Sequence, residues 1–294
     1  MRTTIVIPII RFNEYSIHAM KKLNSIPYYK NLKFLFAVSS KGIAIELSKY
    51  ITDFKNIYEI KNCNSIDSNF LRKQATYVDT EFIYYNDCDD WADYELINNE
   101  TEKLSSDREV VCFQIERLIV NSLDDITSAG IITWPKECPN IRIEDLSVNV
   151  YSKLIPTHYL KDVDFPNLPF TQDWAISYSL YLLAPHRMVE KKSYYYYNYP
   201  TSSSNARYDT IYRLNRVYAY GRTLLEKYKK NRSRTEYEFL KYRYNTCLGS
   251  RYLKLGINIK PYFPSLFTFF HVNLHTKLEI GNQSIKKILS MLKH

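Results

Sequence analysis

Four carboxylates lie within the ten residues YYNDCDDWAD, from Tyr84 to Asp93, directly after the apolar run EFIYY. Acids this close together repel one another and resist burial, so the stretch needs a positive partner. One interpretation is a solvated acidic turn that caps the following helix, DYELINNETEKL. The other is a Mg²⁺ or Mn²⁺ ion held by one or two carboxylates and completed by substrate phosphates and water. The second interpretation predicts chemistry on a diphosphate, whose charge the metal neutralises.

Asp173 is a further candidate, in the apolar stretch PFTQDWAISYSLYLLA. The pattern predicts a helix with Asp173 in its first turn, where the helix dipole helps to keep the carboxylate ionised. Asp is also preferred at helix starts for structural reasons alone. The stretch by itself therefore leaves both a catalytic and a structural role open.

The elements that must position these acids alternate along the first half of the chain. The strand-like stretches are TIVIPII, LKFLFAV, NIYEI and EFIYYN, and helix-like stretches lie between them. Asn13 can cap the first helix, and Glu14 then lies in its first turn. This alternation predicts an α/β fold with a mostly parallel sheet flanked by helices. The acidic stretch follows the carboxyl end of a central strand, where ligands bind in open α/β sheets.

Length and charge predict a second, smaller region. At 294 residues the chain is long enough for one large α/β domain and an appendage. From Arg207 onward there are 18 Lys and Arg against 5 Asp and Glu, whereas residues 1–206 carry 22 against 26. The basic tail predicts two or three helices, DTIYRLNRVYAYGRTLLEKYKK, TEYEFLKYRYNTCLGSRYLKL and NQSIKKILSMLK.

The cysteines and the apolar segments bear on the compartment. Five cysteines without a CxxC pair argue against a disulfide framework and a zinc knuckle, so a reduced, cytoplasmic location is expected. The apolar run in MRTTIVIPIIRFNE is too short for a signal peptide. No window reaches the roughly 18 apolar residues of a membrane span.

Taken in order, the motifs resemble those of the family 2 glycosyltransferases of the GT-A fold, which transfer a sugar from a nucleotide diphosphate donor. The resemblance covers about residues 1–205 and is carried by TIVIPIIRFNE, NSIDSNFLRKQA, DCDDW and FTQDWAISYSLY. The family shows a strand ending in Pro before an aromatic-Asn pair and an Arg in the helix ahead of the acidic motif. It also shows an Asp-x-Asp-Asp stretch and a later Glu-Asp or Gln-Asp pair before Trp. The resemblance implies a GT-A catalytic domain over residues 1–205 and a basic helical region over residues 206–294.

The resemblance also implies a role for each matching residue. Asp89 would contact Mn²⁺ or Mg²⁺, and Asp87 would lie near the metal or the ribose. Arg72 would face the donor diphosphate, where a planar guanidinium suits phosphate oxygens. Asp173 would be the base of an inverting transfer, in which an acceptor hydroxyl attacks as the nucleotide diphosphate leaves. The remaining donor-binding residues would be Pro8, Phe12, Asn13, Glu14, Ser39 and Cys88, and the acceptor or lid residues would be Trp174, Tyr197 and Ser202.

The chain departs from the family pattern at the donor site. Many members have an acidic residue after the second strand, but here the stretch reads AVSSKG, which leaves the donor base open, with a UDP-sugar as the expected donor. Three residues separate Pro8 from the pair Phe12-Asn13, more than the family commonly has. The nucleotide loop is therefore expected to be longer or differently bent.

The implied function is an inverting, metal-dependent hexosyl- or N-acetylhexosaminyltransferase. Its acceptor would be a glycan or lipid-linked glycan in bacterial surface polysaccharide synthesis, such as capsule or lipopolysaccharide. A nucleotidyltransferase shares the sheet and the paired carboxylates, but it usually has a Gly-rich loop after the first strand, which this chain, with 6 Gly, lacks there. A basic RNA-binding protein would explain the tail but neither DCDDW nor QDW. No nucleic acid is therefore expected as a partner.

Other patterns stay open at this point. Lys and Arg beside Tyr, Phe and Leu in the tail suit an anionic surface on the inner face of a membrane as well as a solvated helical cap. The tyrosines of SYYYYNYPTSSSNAR suit a half-buried strand as well as stacking on sugars. His271 and His275 have helical spacing, but the Glu of a zinc protease motif is absent, which disfavours a metal pair.

Overall fold

The structure is a computed structural model that describes residues 1–105, 108–131, 142–143, 146–168, 172–199 and 211–243. The chain divides into two compact units. The first consists of Met1–Ile141 and Ser147–Arg207, and the second of Arg142–Leu146 and Tyr208–His294. All the candidate site residues that the structure describes belong to the first unit.

Within the described residues, nine strands form one sheet: β1 (Thr3–Ile9), β2 (Leu32–Val38), β3 (Ile57–Asn62), β4 (Phe82–Tyr85), β5 (Trp91–Ala92), β6 (Val110–Ser122), β7 (Asp125–Ile131), β8 (Lys153–Pro156) and β9 (His186–Asn198). Their order across the sheet is β3-β2-β1-β4-β8-β6-β9-β5, and β7 pairs with β6. Helices connect and flank the strands: α1 (Glu14–Leu23), α2 (Lys41–Ser48), α3 (Ser68–Lys73), α4 (Tyr94–Lys103) and α5 (Gln172–Leu183).

The predicted parallel half of the sheet is confirmed. Strands β3, β2, β1 and β4 are neighbours and run parallel. Every residue of β1 and β4 is buried, as is all of β2 except Lys33, which explains why these strands read as continuous apolar runs. The pairing of β1 with β4 ends at Val6 and Tyr85. Pro8, which has no amide hydrogen, lies beyond that point and costs this ladder no hydrogen bond.

The helix starts follow local capping chemistry. Asn13 caps α1, and its side chain accepts from the backbone N–H of Ser16, while the Ser16 hydroxyl accepts from the N–H of Asn13. Ser40 and Asp67 cap α2 and α3 by accepting from the backbone N–H of Ile43 and of Asn69. The helix-like stretch SNFLRKQATYV before β4 is only partly α-helical, because α3 ends at Lys73 and continues as a 3₁₀-helix from Gln74 to Tyr77.

The remaining strands bring the tyrosine-rich segment to the acidic stretch. Strand β9 runs parallel to β6 and confirms the predicted strand in SYYYYNY. Strand β5 follows the acidic stretch and pairs with β9, with Trp91 opposite Tyr195 and Ala92 opposite Tyr194. The short antiparallel strand β8 joins β4 to β6 and completes the sheet. The tyrosines of β9 therefore lie beside the residues that follow β4.

The second unit contains α6 (Ile211–Asn231) and a further helical segment over residues 234–243. Its buried positions include Leu214, Val217, Leu224 and Tyr228, which share one face of α6. Of the residues that the structure describes, no helix is both long enough and apolar enough to cross a membrane.

Candidate functional site

The acidic loop, residues Asp87–Asp90, leaves the sheet at the carboxyl end of β4. The N–H of Asn86 still donates to Val6 O at 3.0 Å, so the loop begins beside the end of β1. A turn closes it, in which the N–H of Asp90 donates to Asp87 O at 3.1 Å. The loop thus occupies the predicted position at a central strand end, where open α/β sheets bind ligands.

Arg72 lies between two of the predicted carboxylates, and we name this set the Arg72 bridge. Its Nη2 is 2.8 Å from Asp87 Oδ1, and its Nη1 is 3.0 Å from Asp173 Oδ1. The Arg72 side chain is only 7% exposed. Burial disfavours its charge, but Asp87 and Asp173 together raise its pKa above the ordinary value. The bridge therefore holds a permanent positive charge between the acidic loop and α5.

The bridge is positioned by contacts among α3, α5 and β4. The Ser68 hydroxyl, in the first turn of α3, lies 2.5 Å from Gln172 Oε1, in the first turn of α5. The Tyr85 hydroxyl, at the end of β4, donates to Arg72 O at 3.1 Å. This bond satisfies a carbonyl in the last turn of α3, where helix carbonyls lack helical partners. Arg72 and Asp173 thus meet because the starts of two helices are joined beside the end of one strand.

Asp173 lies in the first turn of α5, as the sequence predicted. Burial raises the pKa of its carboxyl group, and the charge of Asp87 raises it further. Arg72 and Lys153 lower it but do not cancel the effect of burial. The side chain is still 23% exposed. A carboxylate with a raised pKa and access to solvent has the properties of a general base.

Lys153, in β8, is a site residue that the sequence reasoning missed. It is fully buried, and its Nζ donates to Ser147 O at 3.0 Å and to Asn149 O. Burial lowers the pKa of its ammonium group, whereas the nearby Asp173 raises it. The available signal was a lone Lys in the short apolar run KLIP, because a lysine inside a buried strand needs polar partners for its ammonium group.

Asp89 is held by the end of β9 and the start of α1. The Tyr199 hydroxyl donates to Asp89 Oδ2, and Asn13 Nδ2 donates to the Tyr199 oxygen at 3.1 Å. The Tyr199 ring stacks on Tyr15 with 4.0 Å between centroids and 22° between planes. Burial raises the pKa of Asp89, while the Tyr199 bond and the charge of Arg11 lower it. Asn13 was predicted to bind the donor, and it contacts the acidic loop through Tyr199.

The other two acids of the stretch have structural partners. Asp93 caps α4 by accepting from the Leu96 N–H at 2.9 Å. Asp90 is 2% exposed and accepts from the Tyr194 hydroxyl at 2.7 Å and from the Tyr197 N–H at 2.8 Å. The capping interpretation of the acidic stretch is therefore confirmed for Asp93, while the cation interpretation stays a prediction. Asp93 is a cap and Asp90 an anchor, which leaves Asp87 and Asp89 as the ligand candidates.

Three of the predicted donor residues lie at the ends of β1 and β2. The Ser39 hydroxyl, just after β2, donates to Ile10 O at 2.7 Å. The Phe12 ring packs edge-on against Tyr50, with 5.3 Å between centroids and 77° between planes. Pro8 is buried within β1. These contacts tie the loop after β1 to β2 and α2, and a donor role for the three residues stays a prediction.

The remaining predicted site residues differ in burial and in position. Cys88 is half-buried in the acidic loop, and burial together with the neighbouring carboxylates raises the pKa of its thiol well above the ordinary value. Glu14 is exposed in the first turn of α1. Trp174 packs edge-on against Tyr178 within α5, at 6.2 Å between centroids. Ser202, His271 and His275 lie outside the described residues.

The oxygen atoms at the acidic loop fit a hard cation that a substrate completes. In the described part of the chain, no three or more His, Cys, Asp or Glu side chains form a group that could hold a metal ion. The bonds to Arg72 and Tyr199 use Asp87 Oδ1 and Asp89 Oδ2, which leaves the second oxygen of each carboxylate outside these two bonds. Asn86 Oδ1 is buried and has no hydrogen-bond partner among the described residues. Oxygen ligands of this kind suit Mg²⁺ or Mn²⁺ when substrate phosphates supply the rest.

The comparisons with known proteins identify the fold. No protein-family model and no curated protein matches the chain, so membership in family 2 stays a prediction. Among solved structures, the chain is similar to S. aureus TarS, with a TM-score of 0.61 at 14% identity over 94% of this chain and 46% of that chain. It is also similar to S. aureus TarS 1–349 in complex with UDP-GlcNAc, with a TM-score of 0.61 at 14% identity over 96% of this chain and 79% of that one. The complex of TarS 1–349 with UDP gives a TM-score of 0.58 at 13% identity over 96% and 79%.

These similarities show the GT-A fold, which the resemblance in the sequence implied. The chain spans less than half of the length of the TarS chain, 46%. At this identity the likeness concerns the arrangement of helices and strands. The chemistry has to be argued from the site itself.

Proposed function

We propose that the chain is a glycosyltransferase that transfers a sugar from a UDP-sugar to a glycan or lipid-linked glycan acceptor. The observation that carries the proposal is the Arg72 bridge, which joins Asp173 to Asp87 at the carboxyl end of β4. The fold supports it, because the structures that share the fold include TarS 1–349 in complex with UDP-GlcNAc and with UDP.

Asp89 and Asp87 would hold Mn²⁺ or Mg²⁺ together with the donor diphosphate. When bound, such an ion supplies the positive charge that stabilises the leaving UDP. Tyr199 donates to Asp89 Oδ2, so this bond would compete with the ion for that oxygen. Asn13, Ser39 and the loop after β1 would line the nucleotide on the same side of the sheet.

Asp173 would act as the base of an inverting transfer. Arg72 binds its Oδ1, so Oδ2 is the oxygen that takes the proton from the acceptor hydroxyl. The raised pKa improves its basicity, while Arg72 keeps enough of it ionised. The acceptor oxygen then attacks the anomeric carbon on the face opposite UDP, and the configuration inverts.

Arg72 would couple the donor half of the site to this base. Both of its terminal nitrogens bond to carboxylates, one on each side. A shift of Asp87 on donor binding would therefore reach Asp173 through a single side chain. The predicted contact of Arg72 with the diphosphate belongs to this proposal as well, and it would require a rearrangement on donor binding, because both terminal nitrogens bond to carboxylates and Nε is buried.

The basic tail would bring the enzyme to its acceptor. Residues from Arg207 onward carry 18 Lys and Arg against 5 Asp and Glu, which suits an anionic membrane surface. An acceptor linked to lipid would be concentrated there. A role in surface polysaccharide synthesis follows from such an acceptor.

The proposal is tested by thermal shift with UDP-, GDP-, dTDP- and CMP-sugars, with and without Mn²⁺. A ligand that binds the native state raises the melting temperature, by an amount that grows with its concentration. We expect a manganese-dependent shift with UDP-sugars that Asp89→Ala abolishes. Asp124→Ala, at an exposed acid in the turn between β6 and β7, is the matched control and should keep the shift. A shift with nucleoside triphosphates or RNA, and none with any nucleotide sugar, would refute the proposal.

A further inference from the structure

We propose that Tyr194 is a positioning residue, whose hydroxyl group sets the shape of the acidic loop. The proposal rests on the proposed function, because the loop is the donor and metal site of that function. The Tyr194 hydroxyl accepts from the backbone N–H of Asp87 at 3.2 Å and donates to Asp90 Oδ2 at 2.7 Å. A single hydroxyl therefore contacts the first and the last residue of the loop.

The Tyr194 hydroxyl is held in place from several sides. The ring is fully buried and stacks on Tyr151, with 4.2 Å between centroids and 14° between planes. The backbone of Tyr194 pairs with Ala92 in β5, directly after the loop. The second oxygen of Asp90 accepts from the Tyr197 N–H of the same strand. Because ring and backbone are both fixed, the hydroxyl is a rigid reference point for the loop.

Loss of this hydroxyl would act on the ligand candidates of the loop. The Asp87 N–H would lose its acceptor, and the buried Asp90 would keep only the Tyr197 N–H of these two donors. Buried groups that lose a partner reorganise or draw in water. The turn between Asp87 and Asp90 would then relax, and the carboxylates of Asp87 and Asp89 would leave the geometry that the ion and the diphosphate need.

The geometry also distinguishes Tyr194 from a tyrosine that stacks on a sugar. Its ring is covered by Tyr151, and its side chain is 0% exposed, so no face is open to a substrate. Both partners of its hydroxyl are protein groups of the acidic loop. Tyr194 would therefore act through the loop and not by touching the donor.

The test compares Tyr194→Phe with Tyr84→Phe in the full chain. Tyr84 is also fully buried, and its hydroxyl contacts Ser193 Oγ at 2.9 Å and Ser193 O at 3.1 Å, so these bonds go to the neighbour of Tyr194 in β9 and not to a residue of the acidic loop. Both variants lose one buried hydroxyl, so both should lower the melting temperature. Calorimetric titration with UDP in Mn²⁺ should show affinity weakened about tenfold in Tyr194→Phe alone, the usual scale for one buried group left without its partner. The Mn²⁺ concentration at half-saturation should rise in the same variant.

A second pair of variants keeps the test valid if Tyr194→Phe does not fold. Asp90→Asn retains a polar partner for the hydroxyl and should keep UDP binding within a few-fold, whereas Asp90→Ala should weaken it like Tyr194→Phe. Equal weakening in Tyr194→Phe and Tyr84→Phe, or unchanged affinity in Tyr194→Phe, would overturn the role of Tyr194 and leave the proposed function standing. If the wild type binds no UDP in Mn²⁺, the proposed function fails, and the positioning role fails with it.

Discussion

Replacing Arg72 by Met should separate the two halves of the site while keeping the aliphatic part of the side chain. The guanidinium contacts Asp87 at 2.8 Å and Asp173 at 3.0 Å, and its side chain is 7% exposed. The substitution leaves two carboxylates without their shared partner. Removing one side of a buried ion pair costs about 3–5 kcal/mol. Since Asp87 and Asp173 are 28% and 23% exposed, we expect about 3 kcal/mol, the lower end of that range.

The pKa of Asp173 gives the sharper prediction. Arg72 lowers this pKa against the effect of burial, so Arg72→Met must raise it. Lys153 remains as a second positive charge, so the loss of Arg72 removes only part of the lowering. The base must be ionised to act. The acidic limb of the pH profile of kcat/KM should therefore move to higher pH.

The assay is the rate of UDP release from a UDP-sugar between about pH 5 and 9, with the limb fitted for wild type and variant. Arg187→Met is the matched control, because Arg187 pairs with Glu109 at 2.6 Å in a partly exposed bridge outside the site. It should cost less than about 1 kcal/mol and leave the profile in place. The free energy of unfolding should follow the same trend. Arg72→Met should lower it more at pH 8 than at pH 5, because more of Asp173 is protonated at pH 5. A profile that drops in height without moving would refute the assignment of Asp173 as the base.

The remaining predictions concern single residues of the site. Asp173→Asn should bind UDP-sugar with unchanged affinity in calorimetry but lose about 10²–10⁴-fold in transfer rate, and full activity would contradict its role. Tyr199→Phe should lower the Mn²⁺ concentration that half-saturates UDP binding, because it removes the bond that competes for Asp89; a higher concentration would show that Tyr199 supports the ion. Burial raises the pKa of Asp90 well above its usual value of 3.8, so folding is favoured by protonation of Asp90 and this contribution is lost as pH rises from about 4. The free energy of unfolding of Asp90→Asn, measured by chemical denaturation in EDTA, should therefore depend less on pH between about 4 and 7 than that of the wild type. An equal pH dependence of the two proteins would refute buried Asp90 as its cause.

Local patterns in the sequence were enough to predict the parallel half of the sheet. Strands β1, β2 and β4 are buried on both faces, so their sequences are continuous runs of apolar and β-branched residues. Asn13 and Asp93 act as caps through contacts only three residues away, and such contacts can be read from short patterns. The order of these strands then placed the acidic loop at a strand end.

The long-range contacts of the site could not be predicted from local sequence patterns. Asp90 and Tyr194 are 104 residues apart, and Asp89 and Tyr199 are 110 apart. Their meeting depends on β9 lying parallel to β6 and antiparallel to β5, which no local pattern specifies. The tyrosine run suited a half-buried strand as well as stacking on sugars, and it did not indicate which hydroxyl would contact which acid. Lys153 was missed for a different reason, because its partners lie only six and four residues away but are backbone carbonyls of a loop, which no side-chain pattern marks.

The most direct test of the account is a single comparison of wild type and Asp173→Asn with a UDP-sugar, Mn²⁺ and a lipid-linked glycan acceptor fraction. Released UDP and the anomeric configuration of the product are measured together, with calorimetric binding of the same donor to both proteins. We predict equal donor binding by both proteins, UDP release and an inverted product with the wild type, and both release and product about 10²–10⁴-fold slower with Asp173→Asn. Equal UDP release by both proteins, or a product of retained configuration, would contradict the assignment of this site to an inverting glycosyl transfer.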